Sequence, residues 1–245
     1  MMWNSRALVF DLDDTLYSES SYFAAVFAVF CSSQGWPNSS FAPLMENFRY
    51  LRLTQKDLFG FFLDQNLSLW RSSDASAINE YRESLHSALF SLYTGIKTNL
   101  KPMNGAAAWM EFAHENGLKV GVLTNGVAAV QRNKWACLDI PYKAQTTLLP
   151  ARECKREKPY PEAFQAISQS LEIDINKITF LGDRFENDLA YPLSQGATGI
   201  LLSQEPDPIW PCENWCSAPD LVSALSLIVQ KSAGQMWVTN FPQRD

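Results

Sequence analysis

The sequence has few of the residues that bind zinc. Its 245 residues include only two histidines, His86 and His114, and five scattered cysteines. Zinc sites are built from grouped Cys and His side chains, and the one close pair, Cys212 and Cys216, has no such partner near it in the sequence. An odd number of scattered cysteines is typical of free thiols in a reducing compartment. We therefore expect no zinc site and a cytoplasmic protein.

Long apolar runs and excess positive charge are also missing. No stretch approaches the roughly 18 apolar residues of a membrane helix, and we expect no signal peptide ahead of residue 7. The net charge is −6 and the pI is about 5.0, which argues against binding nucleic acid polymers or an anionic membrane surface. A small anionic ligand remains possible because it needs only a local positive site. The oligomeric state stays open.

The first apolar run ends in an acidic turn. Residues 7–10 (ALVF) are typical of a buried strand, and Asp11, Asp13 and Asp14 follow within four positions. Two such charges about 4 Å apart repel by about 4 kcal/mol at an effective dielectric near 20. The turn therefore lies on the surface or beside a bound cation, and these residues alone leave both possibilities open.

A helical segment is predicted between this turn and the next strand. The interval from 17 to 98 is too long for a loop in a compact domain. Apolar spacing predicts a helix from 20 to 34, a second capped by Ser39 or Ser40, a third near 58–63, and a fourth capped by Asp74. We predict an inserted helical domain at 17–98 and an α/β core domain at 1–16 and 99–245.

Strands and helices alternate along the rest of the chain. This alternation predicts an α/β fold with a doubly wound, mostly parallel, Rossmann-like sheet and helices on both faces. Pro206 to Pro219 is predicted to be an ordered loop. The predicted strands cover 119–123, 142–147, 177–181 and 197–202, and the predicted helices cover 106–116, 128–138, 161–171, 188–195 and 221–229.

Polar residues follow three of the predicted buried strands, at 11–15, 124–126 and 183–188. Binding sites of open parallel sheets form at the carboxyl ends of the strands. Clustered carboxylates favour a hard cation such as Mg²⁺, and a turn that starts a helix offers N–H groups to a phosphate. Lys158, ahead of a predicted helix, could neutralise negative charge there. The combination indicates phosphoryl chemistry.

Four short segments carry a resemblance to a known family: 11–15 (DLDDT), 123–126 (LTNG), 157–164 (EKPYPEAF) and 181–188 (LGDRFEND). In this order they resemble the motifs of the haloacid dehalogenase-like hydrolase superfamily. The inserted helices match, in position and size, the helical cap that the phosphatase branch carries between its first and second motifs. The second motif is followed by Gln131 and Lys134, and this arrangement is similar to that of nucleotidases and sugar-phosphate phosphatases of this superfamily.

The resemblance implies a covalent mechanism. Asp11 would be the nucleophile and would form an aspartyl-phosphate. Asp13 would be the general acid for the leaving alcohol and then the general base for water. Mg²⁺ would bind Asp11, the backbone carbonyl of Asp13, and Asp183, and Asp188 would support it directly or through water.

The phosphate would be held by other parts of the motifs. Thr124 and the backbone of Asn125 would bind the phosphoryl oxygens, and Lys158 would offset the charge on Asp11 and the phosphate. Asp14 is expected to face solvent or cap a helix. Arg184 and Asn187 are expected to touch nearby carboxylates without a catalytic role.

Asp13 also separates reaction classes. The dehalogenase branch lacks an acid two residues after its nucleophile, because a halide needs no proton, whereas an alkoxide does. We therefore expect a Mg²⁺-dependent phosphohydrolase of a small phosphorylated metabolite, either a sugar phosphate or a nucleotide monophosphate. A phosphomutase of the same superfamily, a phospho-receiver domain and an inactive scaffold remain alternatives. Cap-side residues that could face the substrate are Tyr17, Tyr22, Arg49, Arg52 and Lys56.

Overall fold

The sheet has its first strand near its centre. A computed structural model of the chain describes residues 4–54, 57–70, 75–204 and 214–232. In this part of the chain six parallel strands form one sheet in the order β3-β2-β1-β4-β5-β6, which confirms the predicted doubly wound α/β fold. The strands are β1 (Ala7–Phe10), β2 (Lys119–Thr124), β3 (Thr146–Pro150), β4 (Ile178–Gly182), β5 (Thr198–Leu202) and β6 (Trp215–Ala218).

Helices cover both faces of the sheet, because alternate residues of each strand point to opposite sides. On one face, Leu8 and Phe10 pack in a cluster that includes residues of α7 (Ala106–Glu115), α8 (Ala128–Cys137) and α11 (Leu221–Ser232). On the other face, Ala7 and Val9 belong to a second cluster. That cluster includes residues of α9 (Pro161–Leu171), of α10 (Ala190–Ser194) and of the π-helical turn Phe185–Leu189 before it.

The segment between β1 and α7 is helical, as predicted, and an aromatic core holds it together. Phe27 and Phe62 lie with ring centroids 4.6 Å apart, and both side chains are fully buried. The proposed domain limits at 16/17 and 98/99 stay predictions. The helices are α1 (Glu19–Gln34), α2 (Ala42–Glu46), α3 (Phe48–Leu53), α4 (Leu58–Gln65), α5 (Leu67–Trp70) and α6 (Ala75–Gly95).

The predicted second helix is wrong in detail. A 3₁₀ turn, Asn38–Phe41, leads into α2, and the chain breaks again at Asn47 before α3. The side chains of Ser39 and Ser40 cap no helix. Pro43 near the start of α2 explains the late beginning, since proline fits the first helical turn but disrupts a helix interior. Asp74, predicted to cap the fourth helix, lies outside the described residues.

Two strand predictions also need correction. The strand predicted at 142–147 begins only at Thr146, because Tyr142 adopts a left-handed backbone and a 3₁₀ turn follows it. The segment Pro206 to Pro219, predicted to be a loop, contains β6, so β5 is not the last strand; residues 205–213 lie outside the described part. β6 is short and only partly buried, and its pairing with β5 is what makes it a strand.

Among the described helices, none is both long and apolar enough to cross a membrane.

The buried Trp109 should contribute strongly to stability. Its ring packs edge-on against Phe10 at 5.9 Å, and its Nε1 donates to the Leu221 carbonyl at 2.8 Å. Trp109→Ala is expected to lower the free energy of unfolding by about 3–5 kcal/mol because it leaves a cavity and an unpaired carbonyl. Urea unfolding measures this loss. Tyr50→Ala, at a side chain 65% exposed, is the control and should change stability by less than about 0.5 kcal/mol.

Candidate active site

The central strands bring the predicted site residues to one edge of the sheet. β1 pairs with β2 on one side and with β4 on the other, so all three carboxyl ends are adjacent. Asp11, Thr124 and Asp183 therefore lie together although they are far apart in the chain. They line a cavity of about 1030 Å³ that also includes residues of α3 and of the start of α11.

Three carboxylates form a compact cluster in this cavity. Asp11, Asp183 and Asp188 each place an oxygen within 4.8 Å of the others. Lys158 Nζ lies 2.6 Å from an oxygen of Asp11 and 2.6 Å from one of Asp188. Burial raises the pKa of Asp11 well above its usual value, and the nearby carboxylates add to this although Lys158 opposes it. Burial and Asp188 raise the pKa of Asp183 to about 7.

These residues fit a divalent cation. Carboxylate oxygens are the ligands that Mg²⁺ prefers, and the single ammonium of Lys158, paired with Asp11 and Asp188, faces a cluster of three carboxylates. A dication held by Asp11, Asp183 and Asp188 would supply the missing positive charge. The side chain of Asp13 points elsewhere, so its predicted contribution through the backbone carbonyl stays a prediction.

Lys158 is held in place through its backbone by Asn125. The Asn125 side-chain amide donates to the Lys158 carbonyl at 2.8 Å, and its oxygen accepts from the Lys158 N–H at 3.0 Å. The predicted phosphate role of the Asn125 backbone and of Thr124 stays a prediction. The Thr124 side chain is almost fully buried, and its hydroxyl lies 3.4 Å from the Asn125 carbonyl.

Asp188 folds back over the end of β4. A Cβ on Gly182 would lie 2.4 Å from Asp188 Oδ2, so this position needs a residue without a side chain. The same oxygen accepts the Arg184 backbone N–H at 3.1 Å. Arg184 and Asn187 also line the cavity. The π-helical turn thus fixes Asp188 beside Lys158.

Asp13 has a different environment from Asp11. Lys134 Nζ contacts both of its oxygens, at 2.8 and 3.0 Å, Gln131 Nε2 donates to one of them at 3.1 Å, and the Tyr17 hydroxyl donates to the other. Burial would raise the pKa of Asp13, but Lys134 and these hydrogen bonds outweigh it and hold the pKa below its usual value. Asp13 is therefore a carboxylate in this structure.

The sequence did not predict what holds Asp13. The sequence marks Gln131 and Lys134 only by their similarity to residues in related phosphatases, and it gives no sign that Glu19 lies 3.4 Å from Lys134 Nζ. One signal was available: Gln131 and Lys134 are three residues apart and therefore share a face of α8. Nothing in the sequence indicates that this face meets Asp13, 121 residues away from Lys134.

The predicted cap-side candidates differ in their placement. Tyr17 and Tyr22 are fully buried, whereas Arg49 and Arg52 line the cavity. Lys56 lies outside the described residues. Asp14 is exposed, and its Oδ1 accepts the N–H of the first residue of α1 at 2.9 Å, which agrees with the predicted helix-capping role.

The four motifs and this geometry agree with a comparison against protein families. The sequence model of the haloacid dehalogenase-like hydrolases matches residues 5–190, which is most of the chain. The chain belongs to this family. A comparison with curated proteins finds no match.

Solved structures of this hydrolase family share the fold at low sequence identity. A dehalogenase with an intermediate complex is 18% identical with a TM-score of 0.57, over 93% of this chain and 99% of its own. The defluorinating L-2-haloacid dehalogenase Rha0230 is 16% identical with a TM-score of 0.57, over 92% and 95%. The HAD hydrolase YfnB from Bacillus subtilis, bound to magnesium, is 14% identical with a TM-score of 0.60, over 92% and 99%. At these identities the likeness shows the fold.

The raised pKa of Asp183 has a consequence for the metal-free protein. Between about pH 4 and pH 7 the folded protein holds a proton on Asp183 that the unfolded chain has lost, so this group lowers stability as pH rises. We therefore compare the free energy of unfolding of Asp183→Asn with that of wild type in EDTA. The difference between variant and wild type is expected to favour the variant more at pH 8 than at pH 5, and urea unfolding measures it. Asp139→Asn, at an exposed position outside the cluster, is the control and should show no such dependence on pH. If Asp183→Asn differed from wild type equally at both pH values, the raised pKa of Asp183 would be contradicted.

Proposed function

We propose that the protein is a Mg²⁺-dependent phosphohydrolase that releases phosphate from a small phosphorylated metabolite, a sugar phosphate or a nucleotide monophosphate. The observation that carries the proposal is the pairing of two carboxylates, Asp11 and Asp13, two residues apart in opposite environments. One faces Lys158 and the acidic cluster, and the other faces Lys134. Two carboxyl groups whose pKa values are pushed apart are suited to separate roles as nucleophile and acid–base catalyst.

Asp11 is placed to act as the nucleophile. Lys158 engages its Oδ1, and within the described residues Oδ2 has no hydrogen-bond donor, so this oxygen is available to attack phosphorus. The new bond joins Asp11 to phosphorus while the bond from phosphorus to the leaving oxygen breaks. Lys158 offsets the charge of the incoming phosphate, and the N–H groups around Thr124 and Asn125 are suited to its oxygens.

Asp13 completes both steps as a proton carrier. The negative charge of a bound phosphate raises the pKa of a nearby carboxyl, which favours the protonated form of Asp13 that the leaving alkoxide needs. After the alcohol departs, the Asp13 carboxylate takes a proton from the water that attacks the aspartyl-phosphate. Asp11 is then regenerated and inorganic phosphate is released.

Magnesium fits the proposal as an electrostatic partner. When bound by Asp11, Asp183 and Asp188, it would neutralise charge that develops on the phosphoryl oxygens. The family relative YfnB, which has the same fold, is described with bound magnesium. In this chain the carboxylates of Asp11, Asp183 and Asp188 offer the oxygen ligands that this ion needs.

Haloacid dehalogenation is the second candidate, because several structures with this fold are dehalogenases. That reaction also begins with attack by an aspartate, but halide leaves without a proton. Asp13 and its three side-chain partners would then have no role in the departure of the leaving group. Halide release from 2-chloropropionate, measured beside phosphate release, distinguishes the two reactions. Transfer of phosphate to a second hydroxyl of the substrate, with no release to water, would indicate a phosphomutase instead.

The wild-type protein is expected to release phosphate from 4-nitrophenyl phosphate and to lose this activity in EDTA. Asp11→Asn should abolish release, because an amide is a poor nucleophile, while urea unfolding stays cooperative. Phosphate detection across a panel of sugar phosphates and nucleoside monophosphates then identifies the substrate class. Asp139→Asn is the matched control and should keep wild-type turnover. Wild-type turnover by Asp11→Asn would overturn the nucleophile assignment.

Asp13→Asn should affect substrates according to their leaving groups. Loss of the general acid is expected to reduce kcat by about 10²–10⁴-fold on an alkyl phosphate. The loss on 4-nitrophenyl phosphate should be much smaller, because nitrophenolate leaves without protonation. Steady-state kinetics on both esters measures the ratio. Equal losses would argue against a role for Asp13 at the leaving group.

A further inference from the structure

Lys134 is an unusual residue in the site. Its side chain is fully buried, and lysine is rarely buried unless it is paired. Its ammonium contacts both oxygens of Asp13, at 2.8 and 3.0 Å, and one oxygen of Glu19 at 3.4 Å. The rings of Tyr22 and Tyr93 lie 5.4 and 5.7 Å away. The ammonium thus sits between two carboxylates and two aromatic faces.

The contacts to Asp13 define one orientation of its carboxylate. Gln131 donates to Oδ2 and Tyr17 to Oδ1, while Lys134 bridges both oxygens. Gln131 and Lys134 come from α8 of the core, and Tyr17 follows the acidic turn. Because these donors come from two different parts of the fold, the Asp13 side chain has little freedom to change its rotamer. A side chain that must reach a leaving oxygen benefits from such fixing, since a shift of about 1 Å can cost about 10²-fold in rate.

A second layer of charges holds Lys134 itself. Glu19, the first residue of α1, is buried and receives two hydrogen bonds from Arg52 of α3, at 2.8 and 2.9 Å. Charges therefore alternate along Asp13, Lys134, Glu19 and Arg52, from the core to the helices that line the cavity. The preceding residue of α8, Asn133, contributes as well: its Nδ2 donates to the Tyr22 hydroxyl at 3.0 Å and to the Ile96 carbonyl at 2.7 Å. α8 is thus bound to both ends of the helical insertion.

We propose that Lys134 is a positioning residue that orients Asp13 toward the leaving oxygen, and that Glu19 and Arg52 hold Lys134 in place from the helical insertion. This inference rests on the proposed phosphohydrolase function. Lys134 acts through Asp13 and does not touch the substrate. Its removal should therefore reproduce the leaving-group pattern of Asp13→Asn, whereas loss of a purely structural ion pair would slow all substrates alike.

The first test compares Lys134→Met with wild type on an alkyl phosphate and on 4-nitrophenyl phosphate. We expect kcat on the alkyl ester to fall by about 10²-fold, with KM little changed and a loss of less than about threefold on the aryl ester, whose departure needs no proton. Lys134→Arg, which keeps a cation at this position, should recover most of the alkyl activity. Lys97→Met is the control: Lys97 donates to Asn133 at the same junction but not to Asp13. Equal losses on both esters would overturn the proposal.

A double-mutant cycle gives an independent outcome. If Lys134 acts only through Asp13, then Asp13→Asn combined with Lys134→Met should be no slower on the alkyl ester than Asp13→Asn alone. Multiplying losses would contradict the proposal. Should Lys134→Met fail to fold, Glu19→Gln replaces it: weakening the hold on Lys134 should give the same leaving-group pattern with a smaller loss, and a uniform loss would count against the proposal.

A crystal structure of the Lys134→Met variant separates this inference from the proposed function. The Asp13 carboxylate is expected to leave its present orientation and adopt another rotamer, whatever reaction the protein catalyses. If wild type releases no phosphate from either ester, the proposed function fails, and this structure alone decides the positioning role. An Asp13 side chain that stays in place without Lys134 would overturn it.

Discussion

The concentration of negative charge at one edge of the sheet is the constraint on which the rest of the site depends. Three carboxylates within 4.8 Å of one another repel strongly in a partly buried cavity. Lys158 pairs with two of them, the Asn125 side chain holds Lys158 through its backbone, and Gly182 leaves the space into which Asp188 folds. One ammonium thus faces three carboxylates, and this excess of negative charge suits a bound dication.

Asp11 and Asp13 show how two neighbouring carboxylates acquire different chemistry. They are two residues apart, yet the pKa of one is raised and that of the other is lowered. Burial raises the pKa of Asp11, and the neighbouring carboxylates add to this against the opposing effect of Lys158. At Asp13, by contrast, Lys134 and two neutral donors outweigh the effect of burial. Structures with this fold include dehalogenases, and the environment of Asp13 supports our proposal of a reaction whose leaving group needs a proton.

The helical insertion takes part in this arrangement through α8. Gln131, Asn133 and Lys134 lie on one stretch of a core helix and contact the acidic turn or the two ends of the insertion. The insertion therefore does more than cover the cavity: Glu19 and Arg52 add charges that reach Asp13 through Lys134. The proposed role of Asp13 in proton transfer is therefore linked to α1 and α3 of the insertion.

Local sequence determined most of the elements and the chemical groups of the site. The bounds of α9 follow from apolar spacing, and the carboxylates at the ends of β1 and β4 follow from apolar runs that stop at acidic residues. The start of β3, the existence of β6 and the surroundings of Lys134 required the tertiary structure. These features depend on contacts between distant residues: β6 is a strand because it pairs with β5, and Lys134 is buried because Asp13, 121 residues earlier, supplies its counter-charge. Short-range patterns report propensity and burial, whereas pairing and charge compensation depend on which distant segments the fold brings together.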